Sequence, residues 1–482
     1  MMKYLTFFLF ENEDKDLKNK IYFWFALALI FHLITPILSV GYFHPDEHFQ
    51  ILEFLGVKLY GTPTERLAWE YNSHIRPWFQ IFTYYVFIYP FKSASPFHIA
   101  TTLRIFSSLL AFVSTIFMTK TVFSFFKKDA QKHYWLIFLT LLWFIPYVHA
   151  RTSSDNFATA IFFIGLYFFL KREKLLLSGL LLGFSFITRF QMGLLILPLF
   201  IWAQFIGKYR LKELLITSST IILAIGLGVL IDYWGYGLWV FTPWNYFKAN
   251  IVDSIASNYG TGPIWDYFKL SIKRGGGPIG IILLLSMIIG WKNNPKHVFT
   301  WISAPFFIIH CLIPHKELRF LLPLYPVALY YLVLLPLPQT TKEFFGRKSI
   351  KALMAVNIIL LMAISLTPSR FGVSYKKYIY DNSTPQDTIY FSSLSPYEKF
   401  HTYYNIYIPK VKKIIDKTTF DNIPSTEKIF WYGTRIFPEI TKLMNSETCE
   451  LKKTQYPKFF LTTKLKKFWK KNNAWALFKC RN

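Results

Sequence analysis

IYFWFALALIFHLITPILSVGYFHPDEHFQ, residues 21–50, joins an apolar run to a charged one without a linker. The first twenty residues are long and apolar enough to cross a bilayer as a helix, because about 20 such residues span the hydrocarbon core. No small-residue cleavage site follows, so the run reads as a retained span. The last ten residues place two adjacent acids, Asp46 and Glu47, between His44 and His48. Acids at the mouth of a span ask for a reason.

Apolar windows of this kind recur along the chain. It has 482 residues, 53% of them hydrophobic and 20% aromatic, which is not the make-up of a soluble domain; the mean hydropathy is +0.30. Backbone groups in lipid must be satisfied internally, so the windows read as helices. The strand-length alternation of a membrane barrel is absent. Eleven spans are predicted, at about 21–40, 98–126, 133–149, 155–170, 174–189, 193–206, 213–231, 279–291, 298–313, 318–336 and 352–366. The chain is therefore expected to be a polytopic α-helical membrane protein.

Charge orients the spans. The net charge is +27, carried by short loops and by the C-terminal residues. Lys3, Lys15, Lys18 and Lys20 precede the first span; KKDAQK (127–132), KREK (171–174), KYRLKE (208–213), KNNPKH (292–297) and KEFFGRKSIK (342–351) follow later ones. With eleven spans all of these share the side of the N-terminus, which the positive-inside rule makes cytoplasmic. Basic loops beside anionic lipid explain the charge, and no nucleic-acid motif accompanies it. QIFTYYVFIYPF (80–91) would reverse the later loops if it crossed, so it reads as an aromatic helix in the interface.

The expected domains are a cytoplasmic N-terminus (1–20), a transmembrane domain (21–366) whose first outward loop is 41–97, and an outward basic domain (367–482). The last has 21 Lys/Arg against 9 Asp/Glu and short strand-like runs such as DTIYFSSL and KIFWYGT, as in a small soluble α/β appendage. Its KLKKFWKK (464–471) suits a membrane-surface anchor or a plain solvated helix. Cys311 lies in a span and reads as packing. Cys449 and Cys480 are able to pair if the tail faces an oxidising compartment.

In this topology HPDEHF, RTSSDN (151–156), Arg189, the 232–278 loop and PHKELRF (314–320) all face outward. Charges at membrane depth are costly and usually face a polar cavity, so such a cluster marks a site. Pro45, Asp46 and Glu47 suit an acidic helix start. A carboxylate with a pKa of about 4 is also ionised at neutral pH and can take a proton from a hydroxyl. His44 and His48, four apart, are expected to share a helix face and orient the carboxylate. Arg319 offers a planar fork for phosphate oxygens, Lys316 a point charge and His315 a donor. Their basic flank opposes the positive-inside bias, and a lipid-linked phosphate would explain that. Arg76 and Arg189 suit such a substrate or a lipid headgroup equally. No metal site is expected, since HExxH spacing is absent.

HPDEHFQ, then DYWGYGLWVFTPWNYFKAN, then HKELRFLLPLYP together resemble glycosyltransferase family 22, which holds the dolichyl-phosphate-mannose-dependent α-mannosyltransferases of N-glycan and GPI-anchor assembly. NYGTGPIWDYF is similar to a family loop, and SHIRPWFQ to an arginine segment, without its following tyrosine-proline. The resemblance covers roughly residues 20–335. It implies a C-type glycosyltransferase fold with the site on the lumenal or periplasmic face, an isoprenoid-phosphate sugar donor and inversion at the anomeric carbon. It also implies Asp46 as base with Glu47 beside it, and His315, Lys316 and Arg319 at the donor phosphate. Isoprenoid-phosphate-sugar donor, glycan or glycolipid acceptor and membrane lipid are the expected partners, with no cofactor and no nucleic acid. A lipid-linked sugar flippase shares the spans and polar cluster, but paired repeat halves and midplane charges are not evident. A transferase of another sugar, or a polysaccharide polymerase, shares the topology. Lys, Phe and Ile richness suggests a bacterial inner membrane with a periplasmic site; in a eukaryote it would be the endoplasmic reticulum with a lumenal site.

Overall fold

A computed structural model of the chain describes residues 10–399, 402–458, 461 and 474–481. Lys3 and KLKKFWKK lie outside the described residues. The chain divides into two compact units, one of residues 1–38, 69–90 and 101–366, the other of 39–68, 91–100 and 367–482.

The first unit is helical. Four helices of the described chain are long and apolar enough to cross a membrane: Lys15–Leu38, Pro96–Phe123, Leu211–Tyr236 and Lys348–Asn382, the last interrupted after Leu366. In Lys15–Leu38 the inward residues Leu17, Ile21, Phe25, Ala28, His32 and Thr35 recur every three or four positions. The opposite face exposes Phe23, Ile30, Leu33, Ile34 and Ile37. A stripe exposed and apolar over a whole helix is the surface of a protein whose solvent is lipid. Leu211–Tyr236 is sorted in the same sense: Thr217, Thr220, Ala224, Gly228 and Asp232 are buried, while Leu215, Ile222, Leu223 and Leu230 are exposed.

Small residues set its closest packing. A Cβ on Gly179, in helix Leu175–Thr188, would lie 2.0 Å from Thr220 Oγ1, and one on Gly183 would lie 2.5 Å from the Ala224 methyl. Lipid tails are as apolar as leucine, so membrane helices associate through such close approach.

Every predicted span meets a helix, though not always one piece. Window 133–149 holds two helices, Asp129–Leu141 and Phe144–His149, parted where Leu142 is extended. Window 318–336 opens as a 3₁₀ turn, Leu318–Leu324, before helix Tyr325–Leu334. The segment read as interfacial forms helix Phe79–Ile88, whose ten residues reach about 15 Å, half a bilayer core.

The second unit is built on a sheet. Its strands are β1 (Thr388–Phe391), β2 (Lys413–Ile415), β3 (Ile429–Thr434), β4 (Cys449–Thr454) and β5 (Ala476–Arg481), in the order β2-β1-β3-β5-β4. β1 runs parallel to β2 and β3, and β5 antiparallel to β3 and β4. Cys449 and Cys480 are directly opposite on β4 and β5 and form a disulfide. Tyr375, Ile389, Phe391, Trp431 and Leu477 pack one face of the sheet together with Tyr42, Phe49 and Phe97. The division expected at residue 366 therefore changes. Residues 41–68 and 91–97 of the expected first outward loop, with 39–40 and 98–100 from the ends of the flanking predicted spans, belong to the sheet's unit, where Tyr42, Phe49 and Phe97 complete its core.

Candidate active site

In the sheet-bearing unit the chain turns at Gly41, whose φ of +102° is open to glycine. A Cβ there would lie 2.7 Å from the Arg370 Cβ, so the turn also needs the missing side chain. Pro45 then opens a helix: its carbonyl accepts from the N–H of His48 and of Phe49, both at 2.9 Å. Glu47–Leu52 is wound as a wide π-type turn before helix Glu53–Tyr60.

The two adjacent acids meet opposite surroundings. Glu47 is 1% exposed, and its Oε1 accepts from the N–H of Phe43 and of His44 at 2.9 Å each. It closes the turn that brings HPDE round. The Asp46 carboxylate stays 21% exposed, with Oδ1 3.1 Å from His44 Nδ1. Asp46 is thus held against an imidazole and stays partly exposed. Glu47→Gln keeps an acceptor for both N–H groups. Its expected effect is a lower melting temperature with turnover within about tenfold, checked by thermal denaturation beside a transfer assay.

His48 departs from expectation. His44 precedes the helix and His48 lies inside it, so they do not share a face. His48 is fully buried, with rings of Tyr42, Phe49, Tyr404 and Tyr407 around it. Its Nε2 lies 2.9 Å from Glu53 Oε1. Burial pushes the imidazole below its ordinary value, against the opposing pull of Glu53. Glu53 Oε2 also accepts from the Asn405 amide at 3.1 Å. His48 is therefore a core group tying the helix to the 404–407 segment rather than a substrate contact.

In the helical unit the segments expected to face outward are tied pairwise. Asp232 Oδ1 accepts from the Trp78 N–H at 2.7 Å and its Oδ2 from Thr242 at 2.6 Å. Tyr236 donates to the Arg76 carbonyl at 2.7 Å, and a Cβ on Gly235 would strike the Trp78 ring. One carboxylate thus fastens SHIRPW to both DYWGYG and TPWNYF. The Arg76 guanidinium lies 3.6 Å from Glu70 Oε1.

The loop YGTGPIW is clamped to PHKELR from both sides. Gly262 donates its N–H to the Pro314 carbonyl at 2.9 Å and accepts from Lys316 Nζ at 2.9 Å. Lys316 donates also to Ile313 O at 2.7 Å; one of its three ammonium protons remains. His315 bridges the Gly260 carbonyl, 2.8 Å, and Glu317 Oε1, 3.1 Å.

Arg189 and Arg319 come together at an acid that the sequence reading did not single out. Asp155 stands in the first turn of helix Ser154–Lys171 and is 1% exposed. Its Oδ1 lies 2.9 Å from Arg189 Nε and accepts from Gln191 at 3.0 Å, and its Oδ2 lies 3.8 Å from Arg319. Arg319 Nε also donates to Glu317. Both guanidinium groups stand over the Phe320 ring, at 5.8 and 5.2 Å. Arg189 and Arg319 are thus paired with Asp155 and Glu317, while Lys316 lies on the Gly262 loop, where Asp266 adds a third carboxylate. RTSSDN carried a usable signal: an acid at the expected outward end of one predicted span, where arginines lie at the expected outward ends of others.

These joined segments are the ones that resemble a known family, and comparison with known proteins agrees. A family model described as the Alg9-like mannosyltransferase family matches residues 23–395. GPI mannosyltransferase 3 of Candida albicans is 26% identical over 75% of this chain and 72% of its own length. Mannosyltransferase APTG1 of Arabidopsis thaliana is 25% identical over 64% of this chain and 57% of its own, and GPI alpha-1,2-mannosyltransferase 3 of Danio rerio 24% over 67% and 61%. The chain thus spans less than two thirds of the length of the plant and fish relatives. In structure it is similar to ArnT from Cupriavidus metallidurans bound to undecaprenyl phosphate, with a TM-score of 0.51 over 95% of this chain and 97% of that one at 10% identity. That likeness is one of fold, the C-type glycosyltransferase fold of membrane proteins. With three quarters of its residues inside the family match, the chain belongs to the Alg9-like mannosyltransferase family.

Proposed function

We propose that this chain is an integral-membrane, inverting glycosyltransferase that moves mannose from a polyprenyl- or dolichyl-phosphate donor to a hydroxyl of a glycan or glycolipid. The observation that carries the reading is the contrast between the adjacent acids. Glu47 is buried with its Oε1 accepting two backbone N–H groups, whereas the Asp46 carboxylate lies partly exposed beside His44, in a member of a mannosyltransferase family. Asp46 takes the proton of the acceptor hydroxyl as its oxygen bonds to the anomeric carbon. The bond from that carbon to the donor phosphate breaks on the opposite face, and the isoprenyl phosphate leaves with the electron pair. The transition state has oxocarbenium character, as in other glycosyl transfers.

In the helical unit, Arg319 and Lys316 are the proposed contacts of the leaving phosphate, with Glu317 and Asp155 holding Arg319 and with His315, whose two ring nitrogens are engaged, positioning the 260–262 loop. The lipid phosphate bound to ArnT supports the donor class. No metal ion is needed in this scheme. The relatives' names point the acceptor toward a mannose-bearing glycolipid. Eleven crossings with the acids outward, on the periplasmic face of a bacterial inner membrane or the lumenal face of the endoplasmic reticulum, complete the proposal.

The purified chain is expected to release isoprenyl phosphate from synthetic polyprenyl-phosphate-mannose in the presence of a mannose-containing acceptor. Release only from the glucose or aminoarabinose analogue would replace the sugar. Passage of intact lipid-linked sugar across a proteoliposome bilayer, without cleavage, would replace the enzyme by a flippase. Arg319→Ala is expected to raise the donor KM about tenfold or more, and an unchanged donor KM would make the arginine structural.

A further inference from the structure

The basic loops that orient the chain enclose a cavity that the proposed reaction does not use. It lies in the helical unit, at the N-terminal end of helix Val298–Leu312. His315 follows the other end of that helix, whose fifteen residues measure about 22 Å. The cavity holds about 490 Å³, within the range of small-ligand sites. Lys127, Lys128 and Asn293 bring polar groups to it, and Ile289, Leu334 and Leu335 line it with apolar ones.

Its polar floor is fixed. Tyr331 and Thr300 share a hydrogen bond of 2.6 Å, Thr300 donates to the Asn294 carbonyl at 2.7 Å, and the Asn294 amide donates to Gly290 O at 3.1 Å. The two lysines are fixed at their backbones, where Gln131 Oε1 accepts both N–H groups at 3.1 and 3.2 Å. Among the described residues neither ammonium group has a carboxylate within ion-pair distance. Two adjacent exposed cations without a carboxylate on either attract an anionic headgroup.

The apolar side identifies what carries that anion. Ile289 is 44% exposed, and Ile282 and Leu285 are exposed on the same face of helix Pro278–Asn293. Spacings of three and four place them in one stripe, which runs about 10 Å along the helix from the cavity. A charged mouth continuous with an exposed apolar stripe fits a phosphate whose ester is an acyl lipid. We propose that this cavity binds the headgroup of an anionic phospholipid, its phosphate on Lys127 and Lys128 and its first methylenes along Ile289, Leu285 and Ile282. The site is separate from the sugar-transfer centre and does not depend on that reading.

Native mass spectrometry of the full chain in detergent tests it, with dioleoyl phosphatidylglycerol, dioleoyl phosphatidylcholine and sn-glycerol 1-phosphate as probes. Wild type is expected to retain one phosphatidylglycerol at least about tenfold more tightly than phosphatidylcholine, and Lys127→Gln/Lys128→Gln to lose that preference. Ile289→Glu, which sets a carboxylate at the mouth, is expected to lose it as well and serves alone if the double variant fails to fold. Equal binding of the two lipids by wild type, or full retention by folded variants, would overturn the site. Displacement of phosphatidylglycerol by glycerol phosphate at equal concentration would overturn the lipid assignment in favour of a soluble phosphate.

Discussion

Asp46→Asn is expected to lower isoprenyl phosphate release by about 10²–10⁴-fold, the range assigned to a positioned general base. The amide matches the carboxylate in shape, so the turn around it should survive. That turn is held by Glu47, with its two backbone donors, and by Pro45. The partial exposure of Asp46 also limits any cost in stability. The melting temperature should therefore stay near wild type while turnover disappears. A folded Asp46→Asn protein within tenfold of wild-type turnover would remove Asp46 from the reaction. Paired with Glu47→Gln, the experiment separates chemistry from positioning within one dipeptide.

Asp155→Ala is expected to have the largest effect on stability. It leaves Arg189, only 6% exposed, without the carboxylate at 2.9 Å, and takes from Arg319 one of its two acids. Breaking a buried pair by removing one partner costs about 3–5 kcal/mol, because the remaining charge is left uncompensated. Removing both partners is far milder, since apolar replacements of similar volume are often neutral. Asp155→Leu/Arg189→Met is therefore expected to recover most of the lost melting temperature without recovering full activity, because Arg319 keeps Glu317 but has lost its second acid. Full activity in the double variant would show that the arrangement serves folding alone. A single variant as stable as wild type would show that Arg189 finds another acceptor.

Much of the helical unit was readable from local pattern. The apolar windows fell on helices, and the basic loops marked their ends, because hydropathy and helix period belong to short stretches. Where the reading failed, the deciding contact was distant in sequence. Asp155 became a candidate only when residues 189 and 319 arrived beside it. His48 looked like a partner of His44 until the 404–407 tyrosines closed around it. Segment 41–68 read as an outward loop of the membrane domain, and its aromatics instead completed a sheet formed more than 300 residues later.

Residues 21–50 on their own establish a helix able to cross a membrane and an acidic helix start at its mouth, since both follow from apolar length and from proline and carboxylate chemistry near a helix terminus. They cannot say which acid is buried. Asp46 and Glu47 are chemically near-equal neighbours. What separates them is that the folded turn aims two N–H groups at one carboxylate and leaves the other partly exposed. Burial and hydrogen-bond partners are properties of the packed chain, and they alone divide these two carboxylates into one buried against backbone N–H groups and one partly exposed.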